Sequence, residues 1–532
     1  MNPRRKLIKV WLLCAVLLPA VVQAQFTFTT NNGAITITGY TGPIGAVTIP
    51  DTTNGLPVAG IGTNAFYSNT NLMTVAIPYS ITNIGDSAFS GCTNLTAIMV
   101  DTNNPSYSSA AGVLFNHDQT MLIQCPGGIA GSFTVPNSVT SVGSMAFYFC
   151  NMLTNIVVPD SVTNIGDSAF GSCWRLNNFT ITKGVTTVGS FLFSNCGGLT
   201  SMVIPNNVTS IGDNAFSFCT SLTNITIANS VNSIGIQSFY LCFSLTSVTI
   251  PNSVTNIGDY AFRRSGLTSV AIPSSIINPG QGTFSFCQQM TNLVIANGVT
   301  SIGTNEFGDC SSLTSVTIPS GISNITDSAF VDCTSLTNVT IPYGVTNIGS
   351  TAFENCTSLT SINIPNTVIY IGSYAFLMCM KLPTLTIPQS VTKLGASVFE
   401  DCTALISIYF EGNPPGGDSA EFLFDTKVTV YFLPGTKSWK TTYFSIPTKL
   451  WNPQAQTKDA NFGVRTNRFG FNITGSSNLV IVVEGCTNLA NSTWIAIATN
   501  TLNTFIGTNG TSYFSDSKWT NYPSRFYRLR SP

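Results

Sequence analysis

Between Leu313 and Cys333 the apolar positions change rhythm twice. Val316 and Ile318 alternate with Ser315 and Thr317, the two-residue period of a short strand that turns one face inward, and Pro319 ends its hydrogen bonding. Ile322 and Ile325 then stand three apart, and Ala329, Phe330, Cys333 and Leu336 follow at three-residue steps. That spacing predicts helical or 3-10 turns with their apolar side inward.

The same sentence is written many times. Cys150, Cys173, Cys196, Cys219 and Cys242 are each 23 residues apart; Ser265 takes the next place, and after one 22-residue step Cys287, Cys310, Cys333, Cys356, Cys379 and Cys402 resume the period. Phe stands three residues before these positions, as at Phe147, Phe216 and Phe307, and Leu stands three after, as at Leu153 and Leu313. With Cys92 and Asn69 opening the series, the pattern predicts about fourteen turns of a right-handed α/β-type solenoid. No single coil of such a stack can bury its apolar face without its neighbours.

The cysteine column is the first candidate for chemistry, and geometry argues against most of it. Neighbouring coils lie about 4.8 Å apart with parallel side chains, whereas a disulfide wants Cβ atoms about 3.8 Å apart and a dihedral near 90°. Zinc needs four ligands arranged tetrahedrally, and a single file with one His in the whole chain, His117, does not supply them. The Phe and Leu neighbours point to burial, which disfavours a reactive thiolate. Cys92, Cys150 and their successors therefore read as small apolar core residues. Asp86, Asp167, Asp213, Asp259 and Asp327 precede the Ala-Phe pair and read as caps of backbone N–H groups. A calcium ladder is not expected, because Ser144, Ser190 and Ile236 interrupt that column.

Composition narrows the partners. Charged residues are only 8% of 532, with a net charge of -1, so no basic stripe for nucleic acid exists. Arg4, Arg5, Lys6 and Lys9, an apolar run from Val10 to Val22, and a small-residue site ending at Ala24 read as a secretory signal peptide. No later stretch has the length of a membrane helix.

The unit from Ile250 to Pro273, "IPNSVTNIGDYAFRRSGLTSVAIP", and its copies resemble the BspA-like leucine-rich repeats of bacterial surface and secreted proteins. The 58-residue gap between Cys92 and Cys150 contains Asn103 to Pro126, which is similar to that family's irregular long repeat, and Ile37 to Gly62 is similar to its usual lead-in. The resemblance spans about residues 35 to 450. It implies a solenoid used for adhesion and for protein or surface binding, with no cofactor and no catalytic residues to carry over.

The chain accordingly divides into a signal peptide (1–24), a solenoid (25–453) with a long repeat at 101–135 and a terminal cap at 408–453, a polar linker (454–460), and a module at 461–532. Alternating runs such as "RFGFNI" and "NLVIVVEG" predict a small β-sandwich for that module, which is weakly similar to C-terminal modules of large secreted bacterial proteins.

No nucleophile elbow, phosphate loop or zinc-protease motif is present, and the expectation is a protein without enzymatic activity. The outward strand positions, such as Asn178 and Thr180 or Asn338 and Thr340, form a hydroxyl and amide ladder. The turns flanking the cysteines are different: Tyr148, Phe149, Trp174, Phe218, Tyr240, Phe243 and Phe286 gather in the middle repeats, whereas Asp309, Asp332, Glu354, Glu400 and Asp401 occupy them later. Pointing outward, the aromatics would form one binding patch; folded back, they would cover the core. Two readings follow: recognition of an extracellular protein or cell-surface ligand, and capture of a glycan by stacking.

Overall fold

The computed structural model describes residues 25–417, 428–476, 480–489, 493–501, 503–504 and 509–530; the expected signal peptide, with Cys14, lies outside them. The chain forms two compact units, divided after Cys287. Each is a β-solenoid with the expected period, and the coils number about 17. That exceeds fourteen because coils beyond the cysteine column, including those at Thr429–Phe432 and Ile446–Leu450, also wind into the stack.

Most regular coils supply two short parallel strands. In the first unit Ser201–Ile204 pairs with Asn224–Ile227, Ser201 opposite Asn224, and Thr187–Val188, Ser210–Ile211, Ser233–Ile234 and Asn256–Ile257 form a second ladder. The second unit repeats this with Ser315–Thr317, Asn338–Thr340 and Ser361–Asn363, and with Asn324–Ile325, Asn347–Ile348 and Tyr370–Ile371. Ile325 therefore belongs to a two-residue strand rather than to a helical turn. The glycine after this strand is required by contact: a Cβ on Gly212 would lie 2.8 Å from the Ser190 nitrogen one coil back.

The segment expected as helical or 3-10 turns is a staircase of tight turns. Leu192, Ser194 and Cys196 donate their N–H groups to carbonyls three residues back. Phe191, Phe193 and Asn195 donate theirs to Asp213, Ala215 and Ser217 of the next coil, at 2.8, 2.8 and 2.7 Å. A helix would satisfy all six internally; alternating them makes the turns a third bonded column. The aspartates serve this column. Asp167, Asp213 and Asp259 accept the N–H groups of Ser190, Ile236 and Gln281, each in the following coil, through Oδ1 at 2.9, 2.7 and 2.8 Å. They cap backbone groups as expected, but across coils.

Inside, the phenylalanines stack. Centroids from Phe193 through Phe216, Phe239 and Phe262 to Phe284 are 5.4, 5.4, 5.0 and 5.4 Å apart with planes within about 12°. In the second unit Phe307, Phe330, Phe353, Phe376 and Phe399 do the same. The long repeat interrupts the first ladder with an antiparallel hairpin, Tyr107–Ala110 and Val113–Asn116, from which Met121–Gln124 returns to pair with Ser141–Val142.

The fourteen described cysteines are free and buried. Each regular one does more than fill space. Cys173, Cys196, Cys219 and Cys242 donate their thiols to the carbonyls of Phe147, Phe170, Phe193 and Phe216, one coil back, at 3.0 to 3.2 Å. The column thus selects small residues that carry a donor, and its exceptions obey the rule. Asn69 donates to the Tyr40 carbonyl, and Ser265 pairs with Cys287.

The C-terminal module carries two antiparallel sheets. Gln454–Gln456 pairs with Arg468–Ser476, so the stretch read as a linker supplies a strand. Arg468–Ser476 also pairs with Asn509–Asp516, while Val480–Cys486 lies between Ile495–Thr501 and Phe526–Arg530. Phe471, Ile473, Ile481, Val483 and Phe514 share a core with Tyr409, Tyr431 and Trp451 of the last coils.

Burial pushes the thiols of Cys196 and Cys242 up to about 12, against the hydrogen bonds that lower them. A pKa raised by folding stabilises fully below the unfolded value, 9.0, and the contribution is lost as pH rises toward 12. Stability is therefore expected to fall by about 1 kcal/mol per such thiol between pH 9 and 10. Melting curves over that range should show a smaller fall for Cys196→Ala/Cys242→Ala than for the parent; equal falls would contradict the assignment.

Candidate functional site

All seven aromatic residues expected in the patch lie in the first unit, and none is buried. Trp174, Phe218 and Phe243 are exposed by 50, 44 and 56%. Instead of one continuous patch they form groups. Tyr148 stacks on Tyr67 at 6.4 Å and meets Phe149 edge-on at 4.7 Å, and Phe149 meets Trp174 at 6.0 Å. Phe218 and Tyr240 form a perpendicular pair at 5.5 Å. Phe286 lies beneath two guanidiniums, with Arg263 at 4.7 Å and Arg264 at 5.0 Å. Phe243 makes no ring contact with the other six among the described residues. Burial, and then the neighbouring Tyr67, push the Tyr148 hydroxyl above its ordinary range, so it stays a neutral donor at physiological pH.

The backbone explains why these groups are unusual. The residue before each column cysteine is left-handed in every regular coil, as is the residue five before it. Gly91, Asn195 and Asn355 fill the first position with φ of 77, 61 and 56°, which suits Gly and Asn. Phe149, Phe218 and Phe286 occupy it with φ of 60, 60 and 59°. A bulky residue there costs roughly 1–2 kcal/mol of backbone strain. Burial offsets little of that cost at Phe218, which is 44% exposed, and Phe149 and Phe286 are only partly buried. Neither local conformation nor core packing therefore accounts for aromatics at these places.

Sequence reasoning missed Tyr67, Arg263 and Arg264. The adjacent arginines were visible in "AFRRSG" as the one basic pair of the middle repeats, but their cation–π contacts depend on a ring one coil away. In the second unit the equivalent turns carry the acidic residues: Asp332 accepts the Asn355 amide at 2.6 Å, and burial followed by Asp332 raises the Glu354 carboxyl. Asp309, Asp332 and Asp401 are left-handed, a conformation aspartate tolerates.

No group of three or more His, Cys, Asp or Glu among the described residues is placed to hold a metal. His117 Nδ1 lies 3.1 Å from the Asn104 carbonyl, within the long repeat. Among the described residues no helix is long and apolar enough to cross a membrane.

Coil stacking, the cysteine and phenylalanine ladders, and a site built from side chains on successive turns define a leucine-rich-repeat solenoid. A family model described as "BspA type Leucine rich repeat region (6 copies)" matches residues 41–116, 129–242, 210–337 and 323–445, and the chain belongs to this family. Among solved structures it is similar to a leucine-rich repeat protein from Bacteroides ovatus, at 27% identity over 73% of this chain and 93% of that one, with a TM-score of 0.49. It is also similar to a leucine rich cell surface protein from Faecalibacterium prausnitzii, at 28% identity over 73% and 93%, TM-score 0.38. A T. pallidum leucine rich repeat protein is 27% identical over 42% of this chain and 88% of that one, TM-score 0.25. No curated protein matches the chain.

Two substitutions separate the exposed column from the core. Phe218→Asn, which relieves the strained turn while losing one ring contact, should leave stability within about 1 kcal/mol of the parent. Phe216→Ala, two residues away and fully buried, should cost roughly 3–5 kcal/mol. Thermal melting checks both; a large loss for Phe218→Asn would show that its ring holds the fold.

Proposed function

We propose that the chain is an exported, non-enzymatic binding protein whose aromatic turn column in the first unit, Tyr148, Phe149, Trp174, Phe218, Tyr240, Phe243 and Phe286, recognises an extracellular protein or cell-surface partner. The observation that carries this reading is the set of seven aromatic side chains at the turns, none of them buried, of which Phe149, Phe218 and Phe286 occupy left-handed positions. A chain selected only for stability would hold Asn or Gly there. Exposed aromatic and arginine side chains on a rigid support have the composition of binding hot spots. Membership of the BspA-type family supports recognition rather than catalysis, and residues 1–24, with basic start, short apolar run and small-residue site, support export.

The test is a binding screen of purified residues 25–532 against extracellular proteins and polysaccharides, with Trp174→Ala/Tyr240→Ala beside the parent. For a protein bound through this surface, the double variant should lose about a hundredfold in affinity with its melting temperature retained. Undiminished binding by the variant would remove the aromatic column from the account.

A further inference from the structure

The second unit contains a cleft unrelated to the aromatic column. The outward face of the strands Asn338–Thr340, Ser361–Asn363 and Thr384–Ile387 forms its floor, and Glu411, Glu484 and Arg530 form a charged wall; its volume is about 620 Å³. The wall exists because the outward ladder changes chemistry near its end. Tyr409 and Tyr431 replace the hydroxyl and amide side chains, and the module's core closes on them, with the Tyr409 hydroxyl accepting the Val480 N–H at 3.2 Å. Three coils of polar sheet face thereby become the floor of an open cleft, walled on one side.

The floor is chemically specific. Thr337 and Thr360, beside the cleft, donate their hydroxyls to the Thr314 and Thr337 carbonyls and so are committed to the fold. The side chains of Asn338, Ser361 and Asn363 take no such bond among the described residues, and they face the cleft in rows one coil apart. Tyr343, exposed by 67%, stands at the rim. On the wall, Glu484 is buried but bound by Arg528 at 2.7 Å and Arg530 at 2.6 Å; these partners outweigh burial and hold its carboxyl below the usual range. Glu411, raised by burial, receives no hydrogen bond to its carboxylate among the described residues.

We propose that this cleft binds a neutral oligosaccharide. Amide and hydroxyl groups repeated about every 4.8 Å offer donors and acceptors at intervals comparable with one hexose. A carboxylate in the wall can accept from paired sugar hydroxyls, and one exposed ring at the rim suits the flat apolar face of a pyranose. An anionic ligand fits poorly, because Glu411 repels it and Arg530 is engaged by Glu484. A peptide fits poorly too: both edges of Asn338–Thr340 are already paired, by Ser315–Thr317 and Ser361–Asn363, so no strand can be added there. Apart from Tyr343 the floor presents no hydrophobic anchor to a peptide side chain.

Calorimetric titration of residues 25–532 with neutral hexaoses of glucose, mannose, xylose and N-acetylglucosamine, and with hexagalacturonate as the charged probe, tests the proposal. At least one neutral hexaose should bind, and Asn338→Ala/Asn363→Ala should weaken it about tenfold or more without lowering the melting temperature. Phe149→Ala/Phe218→Ala, in the other unit, should bind it like the parent. Binding of none of the neutral hexaoses, preference for hexagalacturonate, or full affinity in Asn338→Ala/Asn363→Ala would overturn it.

Discussion

The structure depends on one constraint: backbone groups must find partners in the adjacent coil, about 23 residues away, in register. Two strand ladders meet it in the usual parallel manner, and the turn column meets it by sending every second N–H across the gap, as Phe191, Phe193 and Asn195 do. Register then fixes what the side chains do. In the run from Cys173 to Cys242 each Phe falls on the Phe of the next coil and each thiol reaches the Phe carbonyl one coil back, and Asp167, Asp213 and Asp259 accept a following backbone N–H through Oδ1. A one-residue slip would break all of these together; the long repeat adds its residues as a hairpin whose strands extend the coil-strand ladder at its edge.

The same register creates the surface. Two positions per coil are left-handed, so a side chain placed at one of them is held at a fixed spacing from its counterparts. Many of these positions carry Asn, Ser, Asp or Gly, which the conformation tolerates. Phe149, Phe218, Leu241 and Phe286 in the first unit, and Tyr374 and Met378 in the second, depart from this and hold bulky side chains at the turns. Strain that local structure does not need is one ground on which the recognition role of the aromatic turns is proposed.

Much of this was legible in the sequence. The period, the first strand ladder and the place of the long repeat follow from identical residue types at fixed spacing, whereas that spacing predicts turns where the second strand ladder lies and leaves the orientation of the aromatics open. The form of the turns does not follow from it either, because Ala329, Phe330, Cys333 and Leu336 in three-residue steps suit a helix and a staircase of tight turns equally; only the destination of the N–H groups separates them. The thiol's second role was hidden for a similar reason. Asn69 and Ser265 in the cysteine column are consistent with small size alone, and their hydrogen bonds, Asn69 to the Tyr40 carbonyl one coil back and Ser265 with the Cys287 sulfur of the next coil, appear only when the neighbouring coils are in place. Division of the aromatics into groups depends on rotamers that spacing does not encode, and the cleft above Asn338 and Asn363 depends on tertiary packing around Tyr409 and Tyr431.

Hydrogen exchange of the chain without any ligand tests the inter-coil register most directly. The account predicts that the amides of Phe193, Phe216 and Phe239, bonded to Ala215, Ser238 and Ala261 of the next coil at 2.8, 2.8 and 2.7 Å, exchange as slowly as strand amides such as those of Met202 and Ile225. Exchange at the rate of unbonded surface turns would contradict it, because the turn column would then hang from the strands instead of helping to hold the coils together.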